Sequence, residues 1–170
     1  MKRILPLILC FFTLLILSSC GYHLGGTVNS KLKGVRTIAV TMFDNNSEYP
    51  DLGFQVTTAM GNALQTDGTF TMAPPSSADV IVSGSVSGVD IRRSLIDGRD
   101  THLARELTMK VYVSYTVTRR KDGKVLLKGR ANGDGSYFNT GGNTQAGRAA
   151  ALSYASRRAA GMVVDLLTRP

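Results

Sequence analysis

The side chains of this sequence that are equipped for chemistry are two histidines, two cysteines and a thin set of carboxylates. Neither His23 nor His102 has a second histidine at metal-ligand spacing, and no cysteine pair completes a zinc set. His102 has Asp97 and Asp100 close by in sequence, the one pairing that could orient an imidazole for base catalysis. Such adjacency is common in polar stretches. An enzyme would have to draw on Asp90, Asp97, Asp100 and Glu106. Gly84-Ser85-Val86-Ser87-Gly88 sits inside a β-branched apolar run, whereas a phosphate loop has to open a helix. The stretch Asn139–Asn143 (NTGGN) does precede a helical pattern, but it lacks the Walker lysine and spacing. Asp44, Asp51 and the Asp97/Asp100 pair do not match a calcium loop. No cofactor, metal or catalytic centre is implied, and the expectation is a protein that is not an enzyme.

The remaining reactive group is the thiol of Cys20, and its surroundings are specific. Residues 1–20 read MKRILPLILCFFTLLILSSC. Lys2 and Arg3 form a basic start, Ile4 to Leu17 an apolar run, and Leu17-Ser18-Ser19-Cys20 a leucine, two small residues and a cysteine. This resembles a bacterial lipoprotein signal peptide with its lipobox, in which the cysteine thiol receives diacylglyceryl, cleavage follows, and the new N-terminus is acylated. A spanning helix needs about 20 apolar residues, and this run is shorter. The expectation is residues 1–19 as signal peptide, lipid attachment at Cys20, and a membrane anchor from several acyl chains at about 0.8 kcal/mol per buried CH₂. Cys10 leaves with the signal peptide and Cys20 is blocked, so folding rests on the hydrophobic core without a disulfide.

The chain carries 20 basic and 12 acidic side chains, and losing Lys2 and Arg3 leaves it basic. Nucleic acid is not a partner for an exported chain. The anionic partners there are lipid, phosphorylated glycolipid or an acidic protein surface. Arg92, Arg93, Arg99 and Arg105 bracket one polar loop, RRSLIDGRDTHLAR, at the sheet edge. Arg119, Arg120, Lys121 and Lys124 crowd a turn, at the same end or the opposite one. Guanidinium groups hold phosphate bidentately, so Arg92, Arg93, Arg99, Arg105, Arg119, Arg120 and Lys121 are the candidate anion contacts. Ordinary solubilising charge is the competing reading.

Residues 20–34 have no periodic pattern and read as a tether, followed by one domain over 35–170. Val35 to Phe43 reads as a buried strand ended by Asp44-Asn45-Asn46-Ser47. Pro50 suits a first helical turn, and Leu52, Val56, Ala59, Met60, Ala63 and Leu64 recur at helical spacing up to a Gly68 cap. Phe70 to Met72 is a short strand. Ala78 to Ile91 is a longer one whose apolar phase shifts near Gly88, as at a bulge. Leu107 to Val117 alternates strictly with Thr108 to Thr118, which predicts a long strand with one wet face. Asp122-Gly123 is a hairpin turn, and Lys124 to Phe138 returns with Val125, Leu127, Gly129 and Ala131 inward. Thr144 or Asn143 caps a last helix to about Leu167, with a stripe of Leu152, Ala155, Ala159, Val163 and Leu166. These elements predict an α+β two-layer sandwich, with two helices packed on one face of a mostly antiparallel, mixed four-stranded sheet. The other face, Lys110, Tyr112, Ser114, Thr116 and Thr118, is expected to be open to water or a partner.

Cys20-Gly21-Tyr22-His23-Leu24-Gly25-Gly26 resembles the mature start of the LPS-assembly lipoproteins of the LptE family. The resemblance runs on through Thr37-Ile38-Ala39-Val40, Phe43-Asp44-Asn45, Ala78-Asp79-Val80, Gly84-Ser85-Val86, Leu107 to Val111, Asp122 to Val125 and the Ala-rich last helix. It implies an outer-membrane lipoprotein on the periplasmic side that plugs the LptD β-barrel translocon, helps it assemble and can contact lipopolysaccharide. Gly21 fits outer-membrane sorting. Only Cys20 transfers as a single residue. A plug suits a polar surface without an exposed apolar patch. The first half of the domain also resembles curli-secretion lipoproteins and penicillin-binding-protein activators, so an accessory lipoprotein of another envelope machine is the alternative.

Overall fold

A computed structural model describes residues 28–93, 105–139 and 144–169. A 3₁₀ turn, Ser30–Leu32, precedes β1 (Thr37–Val40), β2 (Asp44–Asn45), α1 (Leu52–Asp67), β3 (Thr71–Met72), β4 (Val80–Arg93), β5 (Arg105–Arg119), β6 (Val125–Asn139) and α2 (Thr144–Thr168). The class is α+β, as expected, but among the described residues the sheet has six strands rather than four, in the order β3-β1-β4-β5-β6 with β2 also beside β4. Two short strands account for the difference: β2, which was not expected, and β3, the short strand expected at Phe70 to Met72, which joins the sheet. β3 pairs parallel with β1. β1 and β2 occupy one line beside β4, broken between Val40↔Val82 and Asp44↔Ser85 by one extra residue. The β4-β5-β6 meander is antiparallel.

The helices share one face of the sheet. The core between the layers includes Ile38, Val56, Met60, Val82, Val111 and Val163, all fully buried. On β5 the odd residues Met109 to Val117 are buried and the even ones only half so, as the alternation predicts. The phase shift near Gly88 is a register shift between Val86 and Gly88. A second shift, between Val117↔Leu127 and Thr118↔Val125, was not anticipated. It inserts Leu126 as an extra residue, so Val125 falls out of phase and is 53% exposed instead of facing inward. Ala131, Gly133, Gly135 and Tyr137 form the buried face further along β6. On α2 the expected stripe holds from Leu152 to Val163, but Leu167 is buried and Leu166 is 43% exposed. At 3.6 residues per turn, the i+4 step from Val163 lands on Leu167.

Helix α1 ends as expected, with Gly68 at φ +70° donating its N–H to Leu64 O (3.1 Å). It starts later than expected, at Leu52, because residues 46–51, after β2, form a turn of their own. Asn45 Oδ1 accepts from Ser47 N–H (3.1 Å) and Oγ–H (2.6 Å), and Asn45 Nδ2–H donates to Tyr49 O (2.7 Å). Asp51 then takes the left-handed conformation (φ 61°) as the flanking residue of the helix. A Cβ on Gly53 would collide with the Phe43 carbonyl, so glycine lets α1 approach the break between β1 and β2.

Asp79 ties the start of β1 to the start of β4. Its Oδ2 accepts the N–H groups of Thr37 (2.9 Å) and Arg36 (3.0 Å). The Thr37 backbone bond, then that of Arg36, holds this carboxyl below the usual carboxylate range, and the Arg120 charge adds to it. The folded value lies below the unfolded one. The stabilisation is therefore present above the unfolded carboxylate range and is lost as pH falls through the depressed folded value. Asp79→Asn is expected to lower the melting temperature at neutral pH and to flatten the acid side of the stability–pH curve. Identical acid limbs in thermal scans of the two proteins would contradict this.

Candidate functional site

Three surfaces are available: the uncovered sheet face and the two ends of the β4-β5-β6 meander. Among the described residues no helix covers the far face of the sheet. Its rows cross the strands in register: Ser85–Ser114–Arg130, Gly88–Tyr112–Asn132, Asp90–Lys110–Asp134 and Arg92–Thr108–Ser136. Hydroxyls pair across it, Ser85 Oγ with Ser114 Oγ at 2.9 Å and Thr108 Oγ1 with Ser136 Oγ at 3.0 Å. The Lys110 ammonium lies 5.7 Å from the Tyr112 ring centroid. A shallow depression of about 390 Å³ is lined by Thr41, Ser83, Ser85, Ser114, Thr116 and Lys128. This surface offers hydroxyls, charges and aromatic faces but no apolar cleft. At its edge Arg158 of α2 reaches around β6 to Asp134 (2.9 Å).

The candidate basic residues fall into two groups. Arg119 pairs with Val80 and Leu107 pairs with Arg93, so the groups sit at opposite ends of the hairpin. A strand of 15 residues at about 3.3 Å per residue puts them roughly 45 Å apart. β5 lies between β4 and β6, whereas β4 has β1 and β2 beside it only as far as Val86, so among the described residues Arg92 and Arg93 stand on an edge stretch of β4 as well as at the end of the sheet.

At the first end, Arg92 donates Nε–H to Asp90 Oδ2 (3.0 Å), and this bond raises the guanidinium pKa above its ordinary value. Arg92 remains largely exposed. Arg93 ends β4 and Arg105 begins β5, which brings their backbones to the same end. Arg99, and the Asp97, Asp100 and His102 weighed for base chemistry, lie outside the described residues, as do Cys20 and His23.

At the second end, Arg119 Nη1–H donates to Asp122 Oδ2 (3.2 Å), and Arg120 Nε–H donates to the Ala78 carbonyl (2.8 Å). The Asp122 carboxyl is held below its usual range, first by the Lys124 N–H. Arg119, Arg120 and Lys121 line one cleft of about 340 Å³ together with Lys31 and Lys33. The two lysines were missed in the sequence because they lie in the stretch read as tether. Leu32 between them is fully buried, and Asn29 N–H donates to Leu167 O (3.2 Å). The tie to the end of α2 is tertiary and leaves no local signature.

The exposed apolar surface was also not anticipated. Phe138 (58% exposed) lies on the open sheet face, and Tyr154, Met162 and Leu166 follow one i+4 row along the outside of α2. The surface is therefore mixed and not uniformly polar. Among the described residues no group of His, Cys, Asp and Glu is placed to hold a metal ion. Among the same residues no helix is long and apolar enough to cross a membrane.

Comparison with known proteins agrees with this architecture. A putative lipoprotein from Caulobacter crescentus superimposes with a TM-score of 0.51 at 15% identity, covering 77% of this chain and 88% of that one. A minor lipoprotein from Acinetobacter baumannii superimposes with a TM-score of 0.51 at 12% identity, covering 79% and 93%. At these identities the likeness concerns the fold alone. Curated protein sequences yield no match. The family model described as "LptE: Lipopolysaccharide-assembly" matches residues 35–167, from the approach to β1 to the last turn of α2. The match spans both helices and the whole sheet, and with it the chain belongs to the LptE lipopolysaccharide-assembly family, a family of accessory envelope lipoproteins and not of enzymes.

Proposed function

We propose that this chain is an outer-membrane lipoprotein, acylated at Cys20, that plugs an LptD-type β-barrel from the periplasmic side, helps it assemble and supports lipopolysaccharide transport. The observation that carries the reading is the family match over residues 35–167. The uncovered sheet face supports it physically. Barrels with a water-filled interior line it with polar side chains, and the rows of hydroxyl, amide and charged groups from Ser85 to Ser136 supply matching donors and acceptors. Arg92, at one end of the meander, provides a guanidinium group suited to lipopolysaccharide phosphates, and Arg93, Arg99 and Arg105 lie near it in sequence or across the β4–β5 connection.

The test is affinity purification of the lipidated protein from its native outer membrane in mild detergent, with mass spectrometry of the partners. Recovery of a one-to-one complex with a large β-barrel is expected. Recovery of a homo-oligomer, or of a peptidoglycan synthase in place of the barrel, would sink the plug reading in favour of another envelope machine.

A further inference from the structure

We propose that the end of the domain where the N-terminal segment enters is a docking surface for the anionic phospholipid headgroups of the leaflet that holds the acyl chains. The proposal rests on the reading of Cys20 as the lipid attachment site. Lys31, Lys33, Arg119, Arg120 and Lys121 line one cleft there, of about 340 Å³, open at the surface. Two carboxylates lie among them, and both are already engaged. Asp79 holds the Arg36 and Thr37 N–H groups, and Asp122 holds Arg119 and the Lys124 N–H. Lys31, Lys33 and Lys121 are exposed and make no ion pair among the described residues. The cleft therefore presents uncompensated positive charge, which anionic headgroups complement.

Position supports the same partner. The described chain begins at Val28, and Asn29 is bonded to Leu167 O at this end. Cys20 is eight residues from Val28, a covalent span of at most about 28 Å. Acyl chains at Cys20 would thus hold this end, and not the Arg92 end roughly 45 Å away, next to the leaflet. Attraction acts within a Debye length of about 8–10 Å, which the tether permits. An acyl anchor with a polybasic patch is a two-signal attachment, and each cation near an anionic surface contributes about a fivefold shift towards the docked state. Docking would stand the meander away from the membrane, with Arg92 and Arg93 at its far end.

The test uses the full lipidated protein in vesicles of phosphatidylcholine, with or without phosphatidylglycerol. The acylated Cys20 leaves no free thiol, so one added cysteine is a unique site for a spin label: Ser77→Cys at the basic end or Ser136→Cys at the other. Expected is protection of the Ser77 label from a water-soluble relaxant only in phosphatidylglycerol vesicles, with the Ser136 label accessible in both. High salt should abolish the protection without any mutation. Lys31→Glu/Lys33→Glu/Lys121→Glu should shift the docked fraction by about a hundredfold or more, with an unchanged thermal melt. Equal accessibility of the Ser77 label in both vesicles, in protein that floats with them, would overturn the docking and leave the anchor standing. Protection by vesicles carrying lipopolysaccharide but not by phosphatidylglycerol would overturn it in favour of that ligand. Protein that does not float at all would remove the anchor, and the docking with it.

Discussion

Replacing Gly133 by alanine should cost about 1–3 kcal/mol of folding stability, and replacing it by valine should cost more. Gly133 lies on the buried face of β6 beneath α2. A Cβ there would collide with Ala155 O and Ala159 N and would come within 2.9 Å of Arg158 Cβ. Two of these three atoms are backbone, so relief requires α2 to lift off the sheet rather than one side chain to turn. Gly135 repeats the arrangement against the Ala151 carbonyl. The seam is built of paired small residues: Ala151, Ala155 and Ala159 on the helix, fully or almost fully buried, and Gly133 and Gly135 on the strand. Close packing makes even one extra methyl felt. Gly161→Ala is the matched control, since nothing lies within 4 Å of the Cβ it would gain. It should stabilise α2 by about 0.5–1 kcal/mol through helix propensity. Urea unfolding of the three proteins measures both effects. If Gly133→Ala unfolds at the same urea concentration as Gly161→Ala, the seam is not tight and the account of α2 packing is wrong.

Cys20→Ser is expected to abolish lipid attachment and to leave an uncleaved precursor in place of an acylated protein. The serine hydroxyl does not replace the thiol that accepts diacylglyceryl, so neither the acyl chains nor the cleavage before residue 20 would follow. A single myristoyl chain already gives a membrane binding constant of about 10⁴ M⁻¹, and further chains raise it steeply. Losing all of them removes that anchor and leaves only the uncleaved apolar segment Ile4–Leu17, which would hold the precursor at the membrane it is exported across. Incorporation of radiolabelled palmitate separates this from retention by a barrel partner: it should vanish in Cys20→Ser even if some protein still sediments with membranes. Continued palmitate incorporation in that variant would place the lipid elsewhere and undo the anchor reading.

The elements whose burial follows directly from local pattern were legible in the sequence. The strict alternation of Leu107 to Thr118 reads as one buried and one wet face because successive strand residues point to opposite sides. Gly68 as the cap of α1 and the bulge near Gly88 were legible for similar reasons, a φ available to glycine and a break of phase. Val125 and Leu166 were misassigned because the pattern was extended across a register shift and past a helical turn, where each residue's neighbours decide its face. The sheet was undercounted because β2 is two residues long and exists only through its partner β4, and because the short strand read at Phe70 to Met72 joins the sheet only by its pairing with β1, which no local pattern shows.

By itself the sequence determined the α+β class, the wet sheet face and the family resemblance, all of which rest on residue types at short, fixed spacings. Only the tertiary structure decided which charges stand together. It separated Arg92 from Arg119 by the length of a hairpin and brought Lys31 and Lys33 beside Arg119, Arg120 and Lys121 across some ninety residues of chain. It also set α2 against two glycines of β6. Local pattern reports the face on which a side chain lies. Which distant faces meet depends on strand order and register, set by the packing of the whole core.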